Sequence, residues 1–385
     1  MTSQSTYQAA RAVAAKVENH FAQQISAARA RGEQSLAPEP SAQIIERMLD
    51  VAFWASLRRE EGRPPKISLA FLPPDQGQQQ LLFQQRLEFT TTTLTKLAPG
   101  VERPGIHLGV WYEGDVLYVW GTTFVVPNFC FVLDVSEPGL LVVKYRRRHG
   151  FGKFVNVAVL IGDQVKVVDD QNTSLSNCPE LITSLLGLHP SSLSDELHEN
   201  DSVNVLIQLA VSMRNHQQGG ALLVVPSNSQ IWRDSIIHPI KYAVTPAFTG
   251  LADLMRERVS KSNQDQWQSA LRSKIESMAG LTAIDGATVI NDQYELLAFG
   301  AKIKQRPDNP TVERILMTEP VIDWKATIIH PAQSGGTRHL SAAQFIHDQP
   351  DALALVASQD GRFTVFSWSH QEEIVQSHRI ESLLL

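Results

Sequence analysis

Between residues 8 and 31 the apolar side chains Val13, Val17, Phe21 and Ile25 recur every fourth position in a background of Ala, Gln and Arg. That spacing predicts an amphipathic helix, because four residues return the chain to the same face and the background residues are strong helix formers. A second helix is predicted over 41–58, where Ser41 follows Pro38 and Pro40 and can accept a free first-turn amide. Its expected apolar face is Ile44, Met48, Val51 and Trp54. From about 66 to 168 the texture changes to short β-type runs: ISLAF, HLGVWYEGDVLYVWG, FVVPNFCFVLDV, GLLVVKYRR and FVNVAVLIGDQVKVVD, separated by Gly, Pro, Asn and Asp. Gly114-Asp115 and Gly162-Asp163 stand between apolar arms and predict hairpins. The Gln-rich patch QGQQQLLFQQR and the threonines at 90–93 suggest no element, and no repeat of fixed period is present.

The second half alternates. A helix over 202–216 precedes the buried run ALLVV after Gly219-Gly220, helices follow through 249–277, and ATVIN, YELLAFGAKI, ALALVAS and RFTVFSW read as strands. The last two meet at Gln359-Asp360-Gly361, a tight-turn signal. The expected organisation is therefore α/β: N-terminal helices (1–60), a β-rich domain (61–170), a polar linker (171–200), and a mixed sheet flanked by helices (201–385).

Composition narrows the function classes. With 385 residues, 43% hydrophobic and 19% charged, the chain is globular and large enough for two domains. A net charge of −6 argues against a nucleic-acid partner, and the basic run from Lys144 to His149 reads as a solvated strand end. Cys130 and Cys178 are too few for a disulfide framework or a four-cysteine zinc site. With no basic-then-apolar leader and no long apolar run, a cytoplasmic protein without a membrane partner is expected.

The strongest candidate chemistry is GGTRH, Gly335 to His339, at the start of a predicted helix. A helix N-terminus presents unpaired amides and the positive end of the dipole, and glycines let an anion approach the backbone closely. Thr337 is the expected cap, Arg338 can grip phosphate oxygens, and His339 can donate a hydrogen bond or bind a metal. A second motif, Asp285-Gly286-Ala287, opens the strand ATVIN and sets a carboxylate at the lip of the sheet. Such a carboxylate caps a turn, or beside phosphates holds a divalent ion or polarises a hydroxyl.

In order of elements, residues 201–385 resemble the diadenylate cyclase domain, which condenses two ATP molecules into cyclic di-AMP. DSVNVLIQLAVSMRNHQQ leading into GGALLVV is similar to the family's opening helix and strand, IDGATVI to its Asp-Gly-Ala motif, and GGTRHLSAA to its Gly-Thr-Arg-His-Arg motif. ALALVASQDGRFTVF stands where the family has two strands around a Ser-containing turn, which brings Ser358 into the candidate site. The resemblance implies that Asp285 activates a ribose 3′-hydroxyl and holds Mg²⁺ or Mn²⁺, with His339 a second candidate metal ligand. It implies that Gly336, Thr337, Arg338, His339 and Ser358 bind an adenine nucleotide, while Gly286 and Ala287 keep the adjoining wall shallow. Each such domain carries half a reaction centre, so the resemblance also implies a homodimer or higher oligomer.

Three departures stand out. Leu340 occupies the place of the family's second arginine, and loss of one charge-stabilising donor at such a centre costs about two to three orders of magnitude in rate. The segment 302–331 is long and apolar enough to cover the site, and GALLVV runs into Pro226-Ser227-Asn228 where an acidic residue is expected. The reading favoured is a diverged nucleotide-binding sensor that signals to a downstream protein partner. The alternatives are an active cyclase and a structural module whose GGTRH only starts a helix. Trp111, Tyr112, Tyr118 and Trp120 read as sheet packing. His107, His149 and His238 have no metal-ligand spacing, and the cluster Asp195, Glu196, His198, Glu199, Asp201 reads as a polar helix start.

Overall fold

The computed structural model describes residues 5–114, 116–146, 154–169, 179–186, 200–257 and 263–385. The chain divides into two units, Met1–Asp169 with Leu385, and Asp170–Leu384. Cys178, His149 and the acidic cluster at 195–199 fall outside the described residues.

The first unit runs α1 (Gln8–Ala30), α2 (Ala42–Ser56), β1 (Ile67–Phe71), β2 (Leu81–Glu88), α3 (Thr91–Val101), β3 (His107–Glu113), β4 (Val116–Thr123), β5 (Phe131–Glu137), β6 (Leu140–Arg146), β7 (Phe154–Ile161) and β8 (Gln164–Val167). Val13, Val17, Phe21 and Ile25 are buried on α1, as the four-residue spacing requires. On α2, Ser41 caps by accepting from the Ile44 amide at 3.4 Å, and Met48 and Val51 are buried. Trp54, expected on the same face, is 41% exposed, and its Nε1 donates to Thr6 Oγ1 at 2.8 Å. The indole is held by a polar tether at the rim rather than by the core.

These strands form one sheet, ordered β2-β4-β3-β1-β5-β6-β7-β8, in which only the central pair β1 and β3 is parallel. Alternate residues of β1 (Ile67, Leu69, Phe71) and β5 (Phe131, Leu133, Val135) join α1, α2 and α3 in one core. The intervening residues face the other way, and there Ala70, Trp120 and Val132 form a smaller cluster with Cys130, whose thiol pKa burial pushes up. A polar row crosses that second face. Ser68 Oγ lies 2.7 Å from His107 Nδ1 and donates to Asp134 Oδ1 at 2.5 Å, and Lys144 pairs with Asp134. Burial lowers the His107 pKa to about 4, so the ring is a neutral member of this row. Two elements were illegible in the sequence: the Gln-rich patch becomes β2, and the threonine run becomes α3, with Thr90 Oγ1 accepting from the Thr93 amide.

The second unit runs α4 (Glu180–Leu185), α5 (Asn200–Asn215), β9 (Gly220–Val225), β10 (Tyr242–Phe248), α6 (Gly250–Arg256), α7 (Gln264–Leu281), β11 (Ala287–Asn291), β12 (Leu296–Ala301), β13 (Ile315–Thr318), β14 (Thr327–Ile329), α8 (Thr337–Asp348), β15 (Leu353–Ala357), β16 (Phe363–Ser369) and β17 (Ile374–Arg379). Its sheet is ordered β10-β12-β11-β9-β15-β16-β17-β13-β14, with β9–β11 and β13–β17 parallel. Every residue of β9 is buried, as expected for a central strand covered on both faces. Ala342, Ala343, Phe345 and Ile346 of α8 pack into one core with Ala354, Val356 and Phe366, and α5 lies against β15 and α7. This is the expected α/β architecture, a mixed sheet flanked by helices. Within the segment 302–331, the Arg306 and Val312 amides donate to Asp348 and Gln344 of α8 and Val312 joins the core, while the later part supplies β13 and β14, which extend the edge beyond β17. Among the described residues no helix is long and apolar enough to cross a membrane.

Candidate functional site

At the start of α8 the N-cap is Gly336 and no side chain caps the helix, so Thr337 stands at the first helical position instead. The His339 amide donates to Gly336 O at 3.0 Å, and the Thr337 and Arg338 amides are left for another acceptor. Gly335 and Gly336 line a cleft of about 380 Å³ together with His339 and the β15–β16 turn residues Ser358, Gln359, Asp360 and Arg362. A side chain at Gly335 would meet the His339 ring at 2.5 Å, so glycine is what lets the imidazole lie under the loop.

His339, expected to donate a hydrogen bond or bind a metal, lies inside the cleft wall. It is buried, its Nε2 lies 3.3 Å from Thr364 Oγ1, and its ring meets Phe366 edge-on. Burial lowers its pKa to about 4; Asp360 and Glu381 oppose that shift while Arg362 and Arg379 add to it. The ring at neutral pH is an uncharged part of the cleft wall. Ser358 is turned inward on its own hairpin, donating to Asp360 Oδ1 at 2.6 Å.

The cationic member is Arg338. Its Nη1 lies 3.0 Å, and Gln359 Cγ 3.4 Å, from where a Cβ on Gly219 would stand, so the guanidinium sits between the start of β9 and the cleft's own turn. It is half-buried and makes no hydrogen bond or ion pair among the described residues. A partly desolvated guanidinium beside open helix amides has the geometry to bind an anion.

Asp285 is exposed and forms an ion pair with Lys302 at 2.5 Å. Its pKa is lowered, first by the hydrogen bond from Lys302, then by that cation's charge, with Arg338 adding to the effect. Asp285 and Arg338 therefore share one electrostatic neighbourhood, and the carboxylate is ionised at neutral pH. Lys302 arrives through the antiparallel register Ala287↔Ala301, which sets the residues before β11 beside those after β12. Gly286 has φ +118°, and a side chain on it would strike the Gly300 backbone at 2.5 Å; its role is close approach of β12. Ala287 is buried in the core and forms no wall of the cleft. Leu340 is 37% exposed and does not line the cleft. After β9, the Ser227 amide donates to Asp292 Oδ1 at 3.0 Å, so a carboxylate from the β11–β12 turn stands beside this loop.

Sequence reasoning missed Lys302, Arg362 and Gln359. Arg362 had a signal, as the first residue after the Asp360-Gly361 turn. Lys302 had none, because only strand register brings it to Asp285. No group of three or more His, Cys, Asp or Glu side chains able to hold a metal ion occurs among the described residues. A divalent ion here would find one protein carboxylate, Asp285, and would need phosphate oxygens to complete its shell.

Comparison with known proteins places a further observation on the other unit. Residues 34–124 match the family model described as "Probable sensor domain DACNV". No curated protein matches the chain. Among solved structures, a hypothetical membrane spanning protein from Bacillus cereus is 15% identical with a TM-score of 0.26, the alignment covering 46% of this chain and 63% of that one. A double mutant of DacA from Staphylococcus aureus is 16% identical with a TM-score of 0.26, covering 46% of this chain and 87% of that one. Neither superposition bears on the site. The family match gives the first unit a segment similar to a sensor domain, in the half that the sequence left without a function.

Proposed function

We propose that the second unit binds the phosphate groups of an adenine nucleotide at the start of α8, and that the chain acts as a sensor rather than as a turnover enzyme. The observation that carries this reading is Arg338, a half-buried guanidinium with no hydrogen bond or ion pair among the described residues, beside a cleft at the uncapped start of α8. Arg362 also lines the cleft, paired there with Asp360 at 3.2 Å, while Lys302 is paired with Asp285. Adenine as the base rests on the resemblance of IDGATVI and GGTRHLSAA to the cyclase motifs.

Two features favour binding over turnover. Leu340 brings no second guanidinium to the cleft, and Asp285, the residue that would polarise an attacking hydroxyl, is tied to Lys302. Mg²⁺ or Mn²⁺ bound with the nucleotide would neutralise phosphate charge, and Asp285 is the side chain that fits it. The sensor reading also gives a use to the similarity of residues 34–124 to a probable sensor domain. Cyclase activity is kept as the second reading because Asp285 does lie in the field of Arg338, as in-line positioning of two nucleotides across a homodimer would need.

The test is incubation of the purified full chain with ATP and Mn²⁺, measuring bound nucleotide and cyclic di-AMP in the same sample. Bound nucleotide without product is expected, weakened about tenfold to a hundredfold in Arg338→Ala. Product that disappears in Asp285→Ala would establish the enzyme, and absence of both binding and product would remove the nucleotide reading.

A further inference from the structure

The first unit carries a second candidate site, independent of the first. On the sheet face opposite α1 and α2, Trp111 and Tyr118 are direct cross-strand partners, and Trp120 follows two residues along β4 on the same side. Trp120 is fixed: its Nε1 donates to Leu72 O at 2.9 Å, and its ring lies over Gly109, where a Cβ would come within 2.0 Å of it. Tyr112 extends the row, its ring 4.5 Å from that of Trp111 and 28° from parallel, with Phe71 4.7 Å from Trp111 behind them.

The edge strand brings a charge to this row. β2 pairs with β4 at Leu82↔Gly121 and resumes at Leu87↔Val119, so residues 83–86 stand opposite Trp120 alone. A bulge of that kind re-aims side chains, and it sets Arg86 on the aromatic row, where Arg86 lines a shallow cleft with Pro74, Trp111, Tyr112, Tyr118 and Trp120. Arg86 is 54% exposed and its one ion-pair partner is the still more exposed Glu113, at 2.7 Å, which an incoming anion can displace. Tyr112 is 45% exposed, and neither it nor Tyr118 makes a hydrogen bond through its hydroxyl among the described residues.

We infer that this surface is a binding site for a small flat aromatic ligand carrying a carboxylate or phosphate, the ring stacking on the exposed Tyr112 at the end of the row and the anion taken by Arg86. Stacking on Tyr favours a π-face, and a guanidinium fork favours a planar anion over an ammonium. The cleft holds only about 20 Å³, room for about one water, so a ligand would lie on the exposed rings rather than inside it, and a flat one makes the most contact there. All six lining residues fall within 34–124, the segment similar to a probable sensor domain, and a stimulus-binding surface is what a sensor domain requires.

The experiment is tryptophan fluorescence and calorimetric titration of the full chain with indole-3-carboxylate and phenyl phosphate, beside cyclohexanecarboxylate, indole and a proline decapeptide. Saturable binding of the planar anions is expected with Kd below about 1 mM, and cyclohexanecarboxylate and indole should bind at least about tenfold more weakly. Arg86→Ala and Tyr112→Ala, both at exposed side chains and so compatible with an intact fold by circular dichroism, should each weaken the planar anions about tenfold. Arg86→Ala should also flatten the salt dependence. No saturable binding of either planar anion up to 10 mM (about ten times the expected Kd limit) would overturn the inference. Equal affinity for cyclohexanecarboxylate, or affinity unchanged in both variants, would do the same. Binding of the decapeptide alone would also overturn it, reassigning the row to a proline-rich partner.

Discussion

Both units centre their sheet near a parallel pair, β1–β3 in one and β9–β11 in the other, yet they place their candidate chemistry in different kinds of structure. In the second unit, helices cover the central strands on both faces, and polar groups converge where a helix begins. In the first, α1, α2 and α3 pack into the core on one face, and the aromatic row lies on the other, beside a bulged edge strand. One arrangement offers backbone amides and fixed charge, which suit phosphate; the other offers π-faces with one adjustable guanidinium, which suits a flat ring. The difference follows from what a fully covered sheet leaves open, namely its ends, against what a half-covered sheet leaves open, a face.

Acid should separate the two units most strongly. Among the described residues of the second, burial holds His339 at about 4 and His378 at about 3 and lowers His216 as well; in the first, it holds His107 at about 4. An unfolded imidazole titrates near 6.5, so between pH 6.5 and 4 the unfolded chain takes up protons that the folded chain refuses, and stability falls as pH falls. The sign is the same in both units, and the second carries it on His216, His339 and His378. A shift from 6.5 to 4 corresponds to about 3 kcal/mol for one ring, so the second unit should open first on acidification. Hydrogen exchange of β16–β17 against β1–β5 at pH 7 and pH 4.5, corrected for intrinsic rates, would show it; earlier loss of protection in β1–β5 would contradict the ordering.

Each site also places a ring over a glycine, which allows a matched pair of substitutions. Gly109→Ala would drive a Cβ to 2.0 Å from the Trp120 indole, a ring that is buried and tethered to Leu72 O. Gly335→Ala would meet the His339 ring at 2.5 Å, beside an open cleft into which the ring can shift. Overpacking costs about 1–3 kcal/mol, and Gly109→Ala should fall at the upper end and Gly335→Ala at the lower, read as denaturant midpoints. Equal losses would mean that the two rings are equally confined.

Arg338→Ala should weaken nucleotide binding about tenfold to a hundredfold, the scale of one charged hydrogen-bonding group, and leave binding of planar anions at the aromatic row unchanged. Titrating one variant protein with both probes checks the independence of the two sites.

How far this could be read from sequence depended on whether a residue's role is local. Val13 to Ile25 declared α1 because helical periodicity is a property of adjacent turns, and GGTRH declared a helix start for the same reason. β2 gave no signal, since LLFQQRLE is exposed on both sides and shows no alternation to detect. The threonines of α3 and its internal Pro99 hid a helix that is held by Thr90 as cap and by burial of Leu94 and Ala98. At the site, position was legible and state was not. His339 could be read as a donor or metal ligand, but its neutrality comes from burial against residues such as Thr364 and Phe366, on a strand formed later in the chain.

The smallest effect expected is also the most informative about turnover. The Lys302–Asp285 pair is exposed on both sides, so Lys302→Ala should leave the denaturant midpoint unchanged within error. What it should change is the carboxylate: without the hydrogen bond and charge of Lys302, the Asp285 pKa should rise towards its ordinary value, with Arg338 the remaining stabilising charge. The carboxylate would still be ionised at neutral pH, and free to engage a metal ion or a ribose hydroxyl. If that ion pair is what keeps the site from turning over, Lys302→Ala should yield cyclic di-AMP from ATP and Mn²⁺ where the native chain yields none. If the missing guanidinium at Leu340 is the larger defect, Lys302→Ala should bind nucleotide more weakly and still make no product. We expect the second outcome, because releasing a carboxylate cannot replace a phosphate contact that Leu340 does not provide.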